Sequence, residues 1–216
     1  MESTGLNTEA ADRQVKAIQR FYRLHARLYQ STRWSFLFGR KRLINALHLP
    51  PSSEGTVLEV GCGTGHNLFR LAKRHPDLRL IGVDVSPDML RIARQKLQRF
   101  SRRVLFIEKP YAPGPFALLS PPPDAILFSY CLTMFNPGWE GAIERAAGEL
   151  APGGLVAAVD FHGTPFARFR RWMTGNQVRM DGHLLPEFEN RFTTVYKEVR
   201  KAYGGLWTYF LFIGKK

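Results

Sequence analysis

Three glycines at alternate positions, Gly61, Gly63 and Gly65, close the apolar run Val57-Leu58-Glu59-Val60. Glycines this close let the chain turn with positive φ, and they let backbone N–H groups approach a ligand more closely than any Cβ would permit. A dinucleotide fingerprint reads G-x-G-x-x-G, with the third glycine one residue later. The shorter spacing suits a cofactor that has no pyrophosphate to hold. Glu59 lies beneath this loop and Cys62 within it. Further on, Leu78-Arg79-Leu80-Ile81-Gly82-Val83 reads as a second strand that ends in Asp84. A carboxylate there can accept hydrogen bonds from both hydroxyls of a ribose.

These residues need a frame that brings strand ends together. From Ser53 the pattern alternates strand and helix: Thr56 to Val60, Asn67 to Arg74, Arg79 to Asp84, Pro87 to Phe100, Arg103 to Ile107, Ala125 to Tyr130, Glu140 to Leu150 and Leu155 to Phe161. Such alternation predicts a parallel sheet with helices on both faces. Ser86 is placed to cap a helix whose first residue is Pro87. An irregular or helical insert, Gly163 to Phe192, follows the fifth strand. Thr193 to Lys201 and Leu206 to Lys215 then read as a hairpin around Tyr203-Gly204-Gly205.

The chain has 216 residues, 44% of them hydrophobic, enough for one globular core. Its two cysteines stand in the glycine loop and in an apolar strand, which is neither a disulfide framework nor a metal-ligand spacing. No metal is expected, and a reducing cytoplasm is. The first dozen residues are polar, and no long uncharged run is free of proline, so neither a signal peptide nor a membrane span is expected. The net charge of +13 is uneven: residues 1–50 hold +6, residues 51–160 only +1 and residues 161–216 another +6. Basic flanks around a nearly neutral centre point to a polyanionic surface, either nucleic acid or an anionic membrane leaflet.

Within the first flank, Arg13, Lys16, Arg20, Arg23 and Arg27 follow helical spacing, as do Val15, Ile18, Tyr22, His25 and Tyr29. The two stripes lie about 200° apart on a helix over Glu9 to Gln30, which makes it basic and amphipathic. Such a helix either lies at a membrane interface or packs its apolar side on the domain. A second short helix, Gly39 to Leu47, carries Arg40-Lys41-Arg42.

With the glycine loop, Asp84 and the turn Leu150-Ala151-Pro152-Gly153-Gly154 in this order, the chain resembles the class I S-adenosylmethionine-dependent methyltransferases. The resemblance implies a Rossmann-like α/β fold, with a seven-stranded, mostly parallel sheet and an antiparallel last strand. It implies S-adenosylmethionine as cofactor and S-adenosylhomocysteine as product. Glu59, Gly61, Cys62, Gly63, Gly65, Asp84, Val85, Met89 and Ser129 are then the cofactor-binding candidates, with Val85 and Met89 flanking adenine. The third strand departs from the family pattern: Glu108-Lys109-Pro110 stands where many relatives have a Gly-Asp-Ala type turn.

Segments outside the cofactor core carry a narrower likeness. Tyr29-Gln30-Ser31-Thr32-Arg33, Phe38-Gly39-Arg40, Arg42-Leu43-Ile44, Ser129-Tyr130-Cys131-Leu132-Thr133-Met134 and Val159-Asp160-Phe161 together resemble the bacterial diacylglyceryl homoserine N-methyltransferases, which make betaine lipid. That likeness implies a peripheral enzyme on the cytoplasmic face of the membrane that methylates a lipid amine in successive in-line transfers. Residues 1–50 would form a basic helical lid and residues 51–216 the methyltransferase domain. Nucleic-acid amino-methylating enzymes place a short polar residue, two prolines and an aromatic after the fourth strand; Ser129-Tyr130-Cys131-Leu132 does not match, so no nucleic acid is expected.

A growing ammonium cation favours aromatic faces, at about 0.5–2 kcal/mol per contact. Tyr22, Tyr29, Trp34 and Tyr130 are candidates for such faces. Tyr130, Asp160, His25 and His183 are candidates to take the proton that an amine sheds, and Arg33 and Arg40 could pair with a head-group carboxylate or phosphate. The catalytic expectation rests on Tyr130, Tyr29 and Asp160, and the substrate-binding one on Tyr22, His25, Arg33, Trp34, Arg40 and His183. Alternatives are a phosphatidylethanolamine or small-molecule (quinone-type) methyltransferase, and a non-catalytic cofactor-binding membrane module.

Overall fold

The structure is a computed structural model and describes residues 36–47, 55–111 and 120–216. Seven strands form one sheet: β1 (Thr56–Val60), β2 (Arg79–Asp84), β3 (Val104–Glu108), β4 (Ala125–Ser129), β5 (Leu155–Gly163), β6 (Thr193–Ala202) and β7 (Trp207–Lys215). Their order is β3-β2-β1-β4-β5-β7-β6. The first five are parallel, and β7 lies antiparallel between β5 and β6. Strand order reverses between β1 and β4, and in such open sheets a ligand sits beyond the carboxyl ends at this point. The glycine loop leaves β1 there.

Side chains alternate between two cores, as a pleated strand requires. Val57, Leu127, Val159 and Leu211 face one core, while Leu58, Phe128, Ala158 and Phe212 face the other. On the first side pack α1 (Arg40–Ala46), α2 (His66–Arg74), α3 (Pro87–Lys96) and α5 (Ala167–Gly175), through Leu43, Leu68, Leu90 and Met173. On the second pack α4 (Trp139–Glu149) and α6 (Leu184–Arg191), through Ile143 and Phe188. Among the described residues, no helix is long and apolar enough to cross a membrane.

The strand and hairpin expectations match these elements, and Ser86 caps α3, its hydroxyl accepting from Met89 N at 3.4 Å with Pro87 at the first turn. The helix expected over Pro87 to Phe100 is shorter: α3 ends at Lys96 and a 3₁₀ turn covers Gln98–Phe100. The insert between β5 and β6 resolves into α5 and α6, with an isolated antiparallel bridge between Gly163 and Asp181. The helix expected over Glu9 to Gln30 lies outside the described residues.

Candidate cofactor and acceptor site

All three loop glycines have positive φ, at 64°, 52° and 67° for Gly61, Gly63 and Gly65. Space is as tight as conformation. A Cβ on Gly61 would stand 2.6 Å from Cys131 Cβ, and one on Gly65 would stand 2.7 Å from Leu97 Cδ1 and 3.2 Å from Ala93 Cβ. Gly65 is also the N-cap of α2 and has no capping side chain, so the first-turn N–H groups face the ligand side with the helix dipole behind them.

Buried carboxylates hold this loop. Asp84 Oδ2 accepts from Gly63 N at 2.7 Å and Oδ1 from Ser86 N at 2.9 Å, so the residue expected to grip a ribose also ties the glycine loop to β2. Glu59 Oε1 accepts from Asn67 Nδ2 at 2.7 Å, which fixes the start of α2 to the end of β1. Lys96 Nζ donates to Thr64 O at 2.9 Å and pins the outer side of the loop. Val85 is half-buried beside Asp84, whereas Met89, in the first turn of α3, is fully buried. Cys62 is buried within the loop and is not in a disulfide.

At the end of β4, Ser129 is buried and its Oγ has no hydrogen-bond partner among the described residues. A buried hydroxyl left unpaired costs about 1–3 kcal/mol, which makes it a natural contact for a ligand at the switch point. Tyr130 follows with φ 55°, a left-handed conformation that costs a non-glycine residue about 1–3 kcal/mol. Two bonds hold it there: Tyr130 N donates to Val159 O at 2.8 Å, and its hydroxyl donates to Phe38 O at 2.8 Å. Its ring meets Phe161 edge-on at 4.8 Å.

Tyr130 and Asp160, the catalytic candidates among the described residues, both have internal partners. Burial, with the nearby Asp160 charge, holds the Tyr130 phenol well above its usual range, so it stays protonated and donates a hydrogen bond to Phe38 O. Arg40 acts on the same phenol in the opposite direction, and its Nε donates to Leu37 O at 3.3 Å. Asp160 is buried and saturated. Its Oδ2 accepts from Leu132 N at 2.9 Å and Thr133 N at 3.3 Å, and its Oδ1 from Thr133 Oγ1 at 2.6 Å and Phe161 N at 2.8 Å. It anchors the 3₁₀ turn Leu132–Met134 that follows β4. Desolvation outweighs these four donors and pushes its pKa up to about 6.

His183 has a different geometry. Its Nδ1 bonds Asp181 Oδ1, its ring meets Trp139 edge-on at 4.6 Å, and its side chain is 9% exposed. The Nε2 atom is buried with no partner among the described residues. Burial lowers its pKa, against the bond and charge of Asp181, which raise it. Burial thus favours the neutral ring, and a bond to the Asp181 carboxylate, which can only accept, puts its proton on Nδ1 and leaves Nε2 as an acceptor. A second imidazole, His162 on β5, packs on Gly182 and has its Nδ1 unpartnered among the described residues.

Tyr22, His25, Tyr29, Arg33 and Trp34 lie outside the described residues. Sequence reasoning missed Asp181, Trp139, Asn67 and the Phe38 carbonyl. Asp181 stands two residues before His183 and was the signal within reach; the other three depend on contacts between separate elements.

Residues 57–154 match a family model described as a methyltransferase domain. A trans-aconitate 2-methyltransferase of Methylobacterium nodulans is 31% identical over 110 residues, which span 50% of this chain and 39% of that protein. The chain thus spans about two fifths of the length of this curated relative. Among solved structures, the [4+2]-cyclase SpnF has a TM-score of 0.74 at 17% identity and covers 94% of this chain and 96% of its own. The N-methyltransferase NodS of Bradyrhizobium japonicum WM9, in complex with S-adenosyl-L-homocysteine, has a TM-score of 0.65 at 24% identity and covers 83% of this chain and 87% of its own. These two neighbours share the fold, and one is a cyclase and the other an N-methyltransferase, so the fold alone does not name a reaction. Residues 57–154 are thus similar to a methyltransferase domain, and the chain has the Rossmann-like methyltransferase fold, with its last strands antiparallel.

Proposed function

We propose that this chain is an S-adenosylmethionine-dependent N-methyltransferase that acts on a lipid amine. The observation that carries the cofactor reading is the Gly61–Gly65 loop at the end of β1, clamped to Asp84, with Ser129, whose hydroxyl has no partner among the described residues, at the end of the neighbouring β4. The residues fit the group. Loop and first-turn N–H groups of α2 would hold its amino-acid end, the Asp84 carboxylate would accept from the ribose hydroxyls, and Ser129 would meet it at the switch point. When bound, the sulfonium supplies a methyl carbon already activated for in-line displacement.

The chain's own task is alignment, exclusion of water and removal of one proton from an ammonium acceptor before attack. Tyr130 and Asp160 are committed to Phe38 and to the turn after β4. His183 offers a neutral ring with a free acceptor nitrogen oriented by Asp181, and it is the proton acceptor in this reading.

The lipid acceptor is supported by the likeness of segments outside the cofactor half and by the basic flanks. A second reading, methylation of a small polycarboxylate, is favoured by the name of the curated relatives, although their match is confined to about half of this chain. One experiment separates them. Labelled S-adenosylmethionine is supplied with the protein and either total lipid extract or trans-aconitate, and products are identified by mass. Label in an amine-bearing lipid is expected, and the head-group mass distinguishes a homoserine lipid from phosphatidylethanolamine. Label in trans-aconitate alone overturns the lipid reading, and cofactor binding with no transfer to either leaves a non-catalytic module.

A further inference from the structure

Residues 164–180 contain four arginines and no acidic residue, and residues 192–216 contain one acidic residue, Glu198. These two segments meet. Thr164 Oγ1 donates to Leu206 O at 2.7 Å and accepts from Phe166 N at 3.2 Å, which joins the start of α5 to the Tyr203–Gly205 turn at the end of β6.

Three large rings stand out from this junction: Phe166 is 53% exposed, Trp172 54% and Tyr203 56%. Trp172 and Tyr203 are seated around a buried ring, Trp207. Phe169 stacks on Trp207 at 5.6 Å, Trp172 packs on Phe169 at 5.7 Å, and Tyr203 lies 5.0 Å from Trp207. Half of each ring is thus outside, and Trp172 and Tyr203 are braced from behind. Arg168, Arg171 and Lys201 are exposed alongside, while Glu198 is bonded by Arg42 and Arg200. Phe38, whose carbonyl accepts from the Tyr130 hydroxyl, is edge-on to Tyr203 at 5.3 Å, so this face borders the carboxyl end of β4.

We propose that α5 and the Tyr203–Gly205 turn form one docking face for an anionic lipid bilayer, with Phe166, Trp172 and Tyr203 at head-group depth and Arg168, Arg171 and Lys201 on lipid phosphates. Aromatic residues with a polar edge settle at membrane–water interfaces, and arginine and lysine near an anionic leaflet add electrostatic attraction. The charge complements such a surface, since Glu198 and Asp181, the carboxylates of the adjoining segments, are each bonded to arginine. Trp172 and Tyr203 gather around one hub instead of lining a groove, which fits a flat surface better than a strand of bases, where platforms follow a line. The proposal stands on this surface and holds whichever acceptor is methylated.

The test is co-sedimentation of the full chain with vesicles of phosphatidylcholine and phosphatidylglycerol, together with tryptophan quenching by brominated phosphatidylcholine in the same vesicles. Arg168→Glu with Arg171→Glu should lower vesicle partition at least about tenfold, with thermal unfolding and S-adenosylhomocysteine affinity unchanged. In a Trp34→Phe background, Trp172→Phe should preserve partition while removing most of the bromine quenching, because the two remaining tryptophans, Trp139 and Trp207, are buried. Unchanged quenching on adding Trp172→Phe to that background overturns the proposal. So does wild-type partition by the charge-reversed protein, or arginine-dependent binding to single-stranded RNA in its place. Loss of vesicle binding with methyl transfer to a dispersed acceptor intact concerns this face alone, whereas vesicle binding with no transfer concerns the acceptor reading alone.

Discussion

Gly61 is the position where one added methyl group has the largest local effect. Its φ of 64° and the 2.6 Å approach to Cys131 Cβ mean that Gly61→Ala must displace either the loop or the turn after β4. We expect a stability loss of about 1–3 kcal/mol and an S-adenosylmethionine affinity at least about tenfold weaker, measured by denaturant unfolding and by calorimetry. Retained affinity would show that the loop does not meet the ligand. His183 makes a prediction of another kind. Its folded pKa lies below the ordinary 6.5, so its contribution to stability is present above 6.5 and is lost as pH falls through the folded value. Transfer that uses the neutral ring falls off on the same acid side. Asp181→Asn removes a partner that raises this pKa, so the acid limb of the kcat–pH profile should move to lower pH, and the plateau should fall about 10–100-fold as the tautomer is released. An acid limb that stays in place in both Asp181→Asn and His183→Ala would take His183 out of the chemistry.

At the scale of elements, Asp160 ties β5 to the 3₁₀ turn Leu132–Met134 and so shapes the exit of β4. Its carboxyl is raised from 3.8 to about 6, so the protonated form is favoured by folding. The stability it contributes is full below 3.8 and is lost as pH rises through 6. The Thr133 hydroxyl can reverse and accept when Asp160 is protonated. The difference in unfolding free energy between wild type and Asp160→Asn should therefore decline from about pH 4 to about pH 6 and be level above that; a level difference throughout would show that burial does not govern this group. Much of this framework is legible in the chain. Strand and helix alternate with strong apolar runs from Thr56 to Phe161, and the glycine pair at Gly204-Gly205 marks the hairpin. The insert is not legible as two helices, because α5 and α6 have only 9 and 8 residues, with Gly175, Gly182 and Pro186 interrupting the pattern. Nor is the role of Tyr130, since its hydroxyl partner is 92 residues away on Phe38. Local periodicity reports burial; it does not report which buried polar group meets which.

Across the whole molecule, charge and cofactor chemistry are separated. The segment with the glycine loop and Asp84 carries +1, whereas residues 1–50 and 161–216 carry +6 each. Deleting residues 1–30 should therefore weaken vesicle binding strongly and leave S-adenosylhomocysteine affinity within a few-fold; unchanged vesicle binding would remove the first flank from docking. What remains in the truncated chain should fall steeply with added salt, since the Debye length shrinks from about 10 Å at 0.1 M to about 3 Å at 1 M.

The antiparallel β7 bears on how the sheet is assembled during synthesis. It pairs with β5 on one side and β6 on the other, and Trp207 at its start is the hub beneath Phe36, Phe38, Phe169 and Tyr203. Until residues 207–215 have left the ribosome, β5 remains an open edge and β6 has no neighbour. The nascent chain must carry that unpaired edge, with its aggregation hazard, until translation reaches β7.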